Sequence, residues 1–183
     1  MTVPAPQRLA LPSDAPRISE LMRASALDLF PRFYDQRQTA SAVVYIPLID
    51  MQLIEDGTYF VHEAGEEIVA CGGWSRRAKP YTGSGDQEGD ARLLDPRTEP
   101  ANVRAMFVRS DWTRRGLGRA ILESCENAAR EEGFERLELV ATLPGEPLYR
   151  ACGFREVERF TVTLPDGVSI EAVAMERPIG SSA

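Results

Sequence analysis

Residues 103–122 read VRAMFVRSDWTRRGLGRAIL, and the order of features in that stretch decides the fold. Residues 103–108 make a short β-prone run. A turn follows, with Gly116 and Gly118 two apart. From about Arg115 the apolar residues Leu117, Ile121, Leu122, Cys125, Ala128 and Ala129 recur at helical spacing until Gly133. The unit is therefore strand, Gly-rich loop, helix. Glycines at this place let the backbone approach an anion while unpaired amides and the positive end of the helix dipole point at it. Thr113 and Ala120 bound the cradle, and Arg114, Arg115 and Arg119 add charge able to offset a phosphate. Taken alone, the loop reads equally as a helix start with solvent-facing arginines. It is not a P-loop, because no Gly-Lys-Ser/Thr ending follows. It is not a dinucleotide fingerprint either, because Ile121 stands where a third glycine is required.

Working outward, Leu137, Leu139 and Ala141 alternate with Glu138 and Val140 as a strand, and residues 147–152 read as a short helix closed by Gly153. Residues 154–164 and 168–176 flank Pro165-Asp166-Gly167, whose turn chemistry predicts a closing hairpin. Upstream, residues 58–64 and 67–74 form a hairpin around Gly65-Glu66. Residues 75–100 carry Pro80, Gly83, Gly85, Gly89, Pro96 and Pro100 among many charges, which predicts a long loop within the domain. Ile18, Leu21, Met22 and Leu29 predict a first helix over residues 14–29, with Asp14 as N-cap and Pro16 in its first turn. Residues 41–54 are apolar enough for a second helix, which Pro47 must begin, kink or break. A meander followed by a strand-loop-helix-strand crossover implies an α/β sheet of mixed direction with one parallel neighbour pair.

The 183 residues fit one domain, 1–183, and 43% hydrophobic with 27% charged residues suits a soluble globular protein. No apolar stretch approaches a membrane span, and the N-terminus lacks the pattern of a secretory signal, so a cytoplasmic address is expected. Cys71, Cys125 and Cys152 with the lone His62 make no conventional zinc set, which predicts reduced thiols and no structural metal. A net charge of -7 disfavours nucleic acid as a partner.

Three motifs in order, residues 103–108, 114–122 and then LYRACGF at 148–154, resemble the GNAT superfamily of N-acetyltransferases. The family pattern Gln/Arg-x-x-Gly-x-Gly/Ala matches at Gly116 and Gly118 and departs at Thr113, a place that contributes mainly backbone. The resemblance covers residues 58–177 well. It implies a mixed, mostly antiparallel sheet with a splayed parallel central strand pair and flanking helices, and a cofactor-binding core at about residues 103–154. It also implies acetyl-CoA as cosubstrate and direct acetyl transfer to a primary amine of a small-molecule acceptor, with a lysine or N-terminal protein acceptor and a non-catalytic sensor of acetyl-CoA as the alternatives. Phe107 and Val108 would contact the acetyl-pantetheine end, with a backbone amide near Val108 as oxyanion donor. Residues Thr113, Arg114, Arg115, Gly116, Leu117, Gly118, Arg119 and Ala120 would hold the pyrophosphate. Tyr149 takes the family's tyrosine position as proton donor to the departing thiolate, a phenol of pKa about 10 serving a thiol of about 8.5.

The general base stays open. Asn102 occupies the place where some family members carry a glutamate, and the remaining candidates are Glu138, Glu146 or a water relay. His62 reads as structural, and Cys152 has no histidine partner to make it a nucleophile. Arg76 and Arg77, with the acidic residues 86–90, read as solvated, the alternative being that they shape the acceptor pocket. Edge pairing through the final hairpin would allow a homodimer.

Overall fold

The computed structural model describes residues 4–79 and 92–180. Seven strands form one sheet in the order β1-β2-β3-β4-β5-β7-β6. They are β1 (Gln7–Leu9), β2 (Tyr59–Ala64), β3 (Glu67–Ser75), β4 (Ala101–Val108), β5 (Arg136–Thr142), β6 (Arg155–Thr163) and β7 (Ser169–Pro178). Neighbours are antiparallel throughout except β4 and β5, which run parallel. The predicted mixed sheet with one parallel pair is thus the fold observed. Strand β1 escapes a sequence reading because three residues in a short stretch between Pro6 and Pro12 carry too little pattern to count as a strand.

Helices cover both faces: α1 (Ala15–Leu29), α2 (Gln36–Tyr45), α3 (Met51–Glu55), α4 (Leu117–Glu131) and α5 (Glu146–Ala151). On one face Ile121, Leu122, Cys125 and Ala129 of α4 pack on Val103, Leu137, Leu139, Val173 and Met175. On the other, Ile18, Leu21 and Met22 of α1 and Leu53 of α3 pack on Tyr59, Val61, Ile68 and Cys71. In β5 the alternate residues Leu137, Leu139 and Ala141 enter the α4-side core, as the period of two requires. Among the described residues no helix is long and apolar enough to cross a membrane.

Two expectations need correction, and a third, left open at Pro47, is decided. Asp14 does not cap α1. It ends a 3-10 turn (Pro12–Asp14), and its buried carboxylate accepts from the Leu11 amide at 2.7 Å and from the Arg8 and Arg17 guanidiniums. The helix predicted over residues 41–54 is two helices, α2 and α3, separated around Pro47, which supplies no amide to continue the ladder. The first of them starts earlier than its apolar residues suggest, because Asp35 and Gln38 form a capping box at residues 35–38. Arg76 and Arg77, expected to be solvated, are ion-paired: Arg76 with Glu132 at 2.5 Å and Arg77 with Asp56 at 2.8 Å. The acidic residues 86–90 and most of the predicted loop lie outside the described residues. Of that loop's ends, Arg77 and Leu93 make an isolated antiparallel bridge.

Candidate active site

The parallel pair stays joined for only a short distance. Ala101 pairs with Leu137 and Asn102 with Glu138, and beyond them β4 and β5 diverge. The divergence has a local cause. Opposite Cys71 to Gly73, strand β4 fits an extra residue, and Ala105 takes a left-handed φ of 56°. Such a bulge bends and twists its strand. The bulge carbonyl is satisfied, since Tyr59 Oη donates to the Ala105 oxygen at 2.7 Å.

The same register sets the direction of the backbone at Val108. The Arg109 amide donates to Val69 O at 2.9 Å while Val108 sits opposite Ala70. In an antiparallel ladder this turns the Val108 N–H and C=O away from β3, to the side from which β5 has withdrawn. The Val108 carbonyl accepts from Ser25 Oγ at 2.8 Å.

Where the strands part, a cleft of about 1130 Å³ opens, large enough for a sizeable ligand. Helix α4 points its N-terminus at it. Gly116 precedes the helix with φ 82°, and no side chain caps the helix. The amides of Leu117, Gly118 and Arg119 precede the first helical bond, which Ala120 makes to Gly116 O. Nothing lies within 4 Å of where a Gly116 Cβ would be, and Gly116 to Arg119 all line the cleft. Gly118 is tight for another reason: a Cβ there would come within 2.7 Å of Leu148 in α5, so the glycine lets α5 close against α4. Uncapped amides in the lining and the nearby Arg114 and Arg119 suit a pyrophosphate.

The sequence matches the acetyltransferase (GNAT) family over residues 20–154. The chain belongs to that family. Acetyl-CoA is the family's cosubstrate, and the cleft suits it. Among solved structures, a GCN5-related N-acetyltransferase from Rhodopseudomonas palustris is 18% identical, with 97% of each chain covered and a TM-score of 0.69. The PaiA N-acetyltransferase of Thermoplasma acidophilum, solved with coenzyme A, is 12% identical over 97% of this chain and 99% of that one, with a TM-score of 0.66. The ribosomal-protein-S18-alanine N-acetyltransferase of Escherichia coli is 16% identical over 97% and 96%, with a TM-score of 0.59. No curated protein sequence matches the chain.

Within this GNAT chain, Phe107, Val108, Thr113, Arg114, Gly116, Leu117, Gly118, Arg119 and Tyr149 all line the cleft. Arg115 and Ala120 do not. Arg115 turns onto the Trp112 ring, 4.5 Å from its centroid, and Ala120 is held in the first helical turn. Tyr149 is 8% exposed, and its ring meets Phe154 edge-on with centroids 5.8 Å apart. Burial pushes its phenol well above the ordinary value, so the hydroxyl stays protonated.

Neither glutamate reaches the cleft. Glu138 borders a separate small pocket with Asn102 and Val157, and burial raises its carboxyl. Glu146 is held by Arg159 and Arg150, and the Arg159 hydrogen bond holds its carboxyl below the usual range. His62 is fixed between the Ala5 carbonyl and the Gln7 amide, away from the cleft, and Cys152 is not in the lining. Residues that the sequence reading missed include Ser25, Arg32 and Arg104. Ser25 and Arg32 lie far along the chain from the cradle and carry no motif, and the signal at Arg104 was a charge inside a strand that otherwise reads as core.

Proposed function

We propose that this protein is an N-acetyltransferase that moves the acetyl group of acetyl-CoA directly to a primary amine of a small molecule within a ternary complex. The observation that carries this reading is convergence: the uncapped start of α4, the outward-turned backbone of Val108 and the protonated Tyr149 all border one cleft. Bound there, acetyl-CoA supplies an activated thioester. The α4 amides with Arg114 and Arg119 hold its phosphates, and the Val108 N–H stabilises the negative charge that develops on the carbonyl oxygen as the amine attacks. Tyr149 then gives its proton to the departing sulfur. Among the described lining residues there is no aspartate, glutamate or histidine, so the amine's own proton leaves to water in this reading. A lysine or polyamine acceptor fits poorly, because no described lining residue is an aspartate or glutamate while Arg32 and Arg104 line the part of the cleft left to the acceptor.

That missing base favours one second reading, an acetyl-CoA-binding module without turnover. Thermal-shift titration with acetyl-CoA, CoA, NADH and ATP tests the cofactor first. Ligand at about a hundred times its dissociation constant adds roughly 2.7 kcal/mol, on the order of 5 to 10 °C here. We expect a shift with acetyl-CoA and CoA alone, and its absence from folded protein would sink both readings. Release of CoA thiol on adding amines then separates enzyme from module.

A further inference from the structure

The half of the cleft away from the cradle holds a buried arginine whose hydrogen bonds are unmade among the described residues. Arg104 lies on β4 on the α1 side of the sheet, 6% exposed. None of its guanidinium nitrogens makes a hydrogen bond among the described residues, and Nε and Nη1 are sealed from solvent. Its counter-charge is Asp50, whose Oδ2 is 3.6 Å from Nη1, an ion pair without a hydrogen bond. Asp50 is held back by other partners: it caps α3 through the Gln52 amide at 3.1 Å and faces Lys79 at 3.5 Å.

A buried guanidinium normally spends its fork of donors on a carboxylate, because taking it out of water costs too much otherwise. Here Nε and Nη1 make no hydrogen bond among the described residues, and the residue lines the cleft. Arg32 stands exposed at the same end, while Leu29, Phe30, Phe33 and Tyr45 make the surrounding wall apolar.

We infer that Arg104 is the seat for a carboxylate on the acceptor, so that the acceptor is an amine carrying a carboxylate and an apolar body, as an apolar α-amino acid does. A carboxylate accepting from Nη2, the guanidinium nitrogen that is not sealed, gives Arg104 a charge-assisted hydrogen bond, which Asp50 at 3.6 Å from Nη1 does not. The apolar wall then covers the side chain, and the amine is left to face the acetyl group. This rests on the small-amine reading above and narrows it.

The test uses a matched pair of acceptors, L-phenylalanine and phenethylamine, which differ by the carboxylate alone. Wild-type kcat/KM should favour L-phenylalanine by about tenfold or more, the size expected when a charge-assisted bond is present in one acceptor and missing in the other. In the double variant Arg104→Met with Asp50→Asn, which removes both buried charges together and keeps a capping side chain, that ratio should collapse toward one. Comparing ratios across variants cancels the difference in amine basicity, and a thermal melt confirms that the variant is folded. No preference in the wild type, or a preference that survives in the variant, overturns the inference while leaving the small-amine reading intact.

Failure of both amines to release CoA overturns the small-amine reading. Calorimetric binding of N-acetyl-L-phenylalanine to the CoA-loaded protein then judges the seat by itself. Binding that the double variant loses upholds it. Equal binding by both proteins, or none by the wild type, overturns it.

Discussion

At the α4 end of the cleft the lining comes from residues 112–114, 116–119, 144–145 and 147–149, two short stretches on either side of β5. At the α1 end it comes from residues 25–33, 45–48 and 162–170, segments from nearly opposite ends of the chain. The first end is held by backbone: a left-handed Gly116, uncapped amides, and a Gly118 that admits Leu148. The second is held by side chains whose positions depend on packing, such as Ser25 on the Val108 carbonyl and Tyr34, which accepts from the Leu143 amide at 3.0 Å. A ligand shared by a whole family can be met by backbone, which varies little with sequence. A ligand particular to one member must be met by side chains, so the two ends should respond differently to substitution.

The largest expected effect sits at the first end. Tyr149→Phe should lower kcat by about 100-fold or more, the usual contribution of a placed general acid. Calorimetric affinity for acetyl-CoA should barely move, because the ring stays in its contact with Phe154 and only the hydroxyl is lost. If turnover survives nearly intact, the proton reaches the thiolate from water and the α4 end only binds.

Next comes the frame beneath the α1 end. Asp14, its side chain 2% exposed, ties the start of α1 to β1 through Arg8, while Arg8 and Arg17 both also reach Glu63 on β2. The Arg8 hydrogen bond, more than any other contact, holds the Asp14 carboxyl well below the usual carboxylate range. Because the folded value lies below the unfolded one, the stability it contributes is fully present above about pH 4 and is lost as pH falls toward the folded value. Asp14→Ala should therefore cost about 2 to 3 kcal/mol at pH 7, on the order of 5 to 10 °C in Tm, with half-exposed arginines softening the penalty for a broken buried pair. Scanning calorimetry from pH 7 down to strongly acid conditions should show the gap between wild type and variant closing as the wild type loses this contribution. A gap that does not depend on pH would mean that the loss is one of packing.

This division also explains what could be read in advance. The strand, loop and helix over residues 103–131 announce themselves because glycine spacing and helical periodicity are local, and the same holds for the hairpin at Gly65 and for β5. The place of Tyr149 in the cleft lining was legible through a motif a few residues long. The break at Pro47 was visible, yet its effect, two helices with a new cap at Asp50, depends on where the chain can reach the sheet. Asp14 misled because an acidic residue before a helix has two uses, a cap or an ion pair. Only β1 and β2, far apart in sequence for one of the two, bring Arg8 and Glu63 to it. Arg104 gave only the faint signal of a charge within a core-like strand, because its meaning lies in a partner too distant for a hydrogen bond, a fact of three dimensions.

The smallest expected effect tests whether the two ends are separable at all. Phe33 and Leu48 are 44% and 42% exposed, and both line the α1 end. Since they are already partly in water, Phe33→Ser with Leu48→Ser should change stability by less than about 0.5 kcal/mol per site. An apolar acceptor body would cover the remainder on binding, so its loss should raise the acceptor KM roughly fivefold, near 1 kcal/mol, measured by CoA release at saturating acetyl-CoA. Affinity for acetyl-CoA, read by calorimetry on the same protein, should stay where it was. Were both constants to rise together, the α1 end would be part of the acetyl-CoA site, and the division between a backbone-built end and a side-chain-built end would fail.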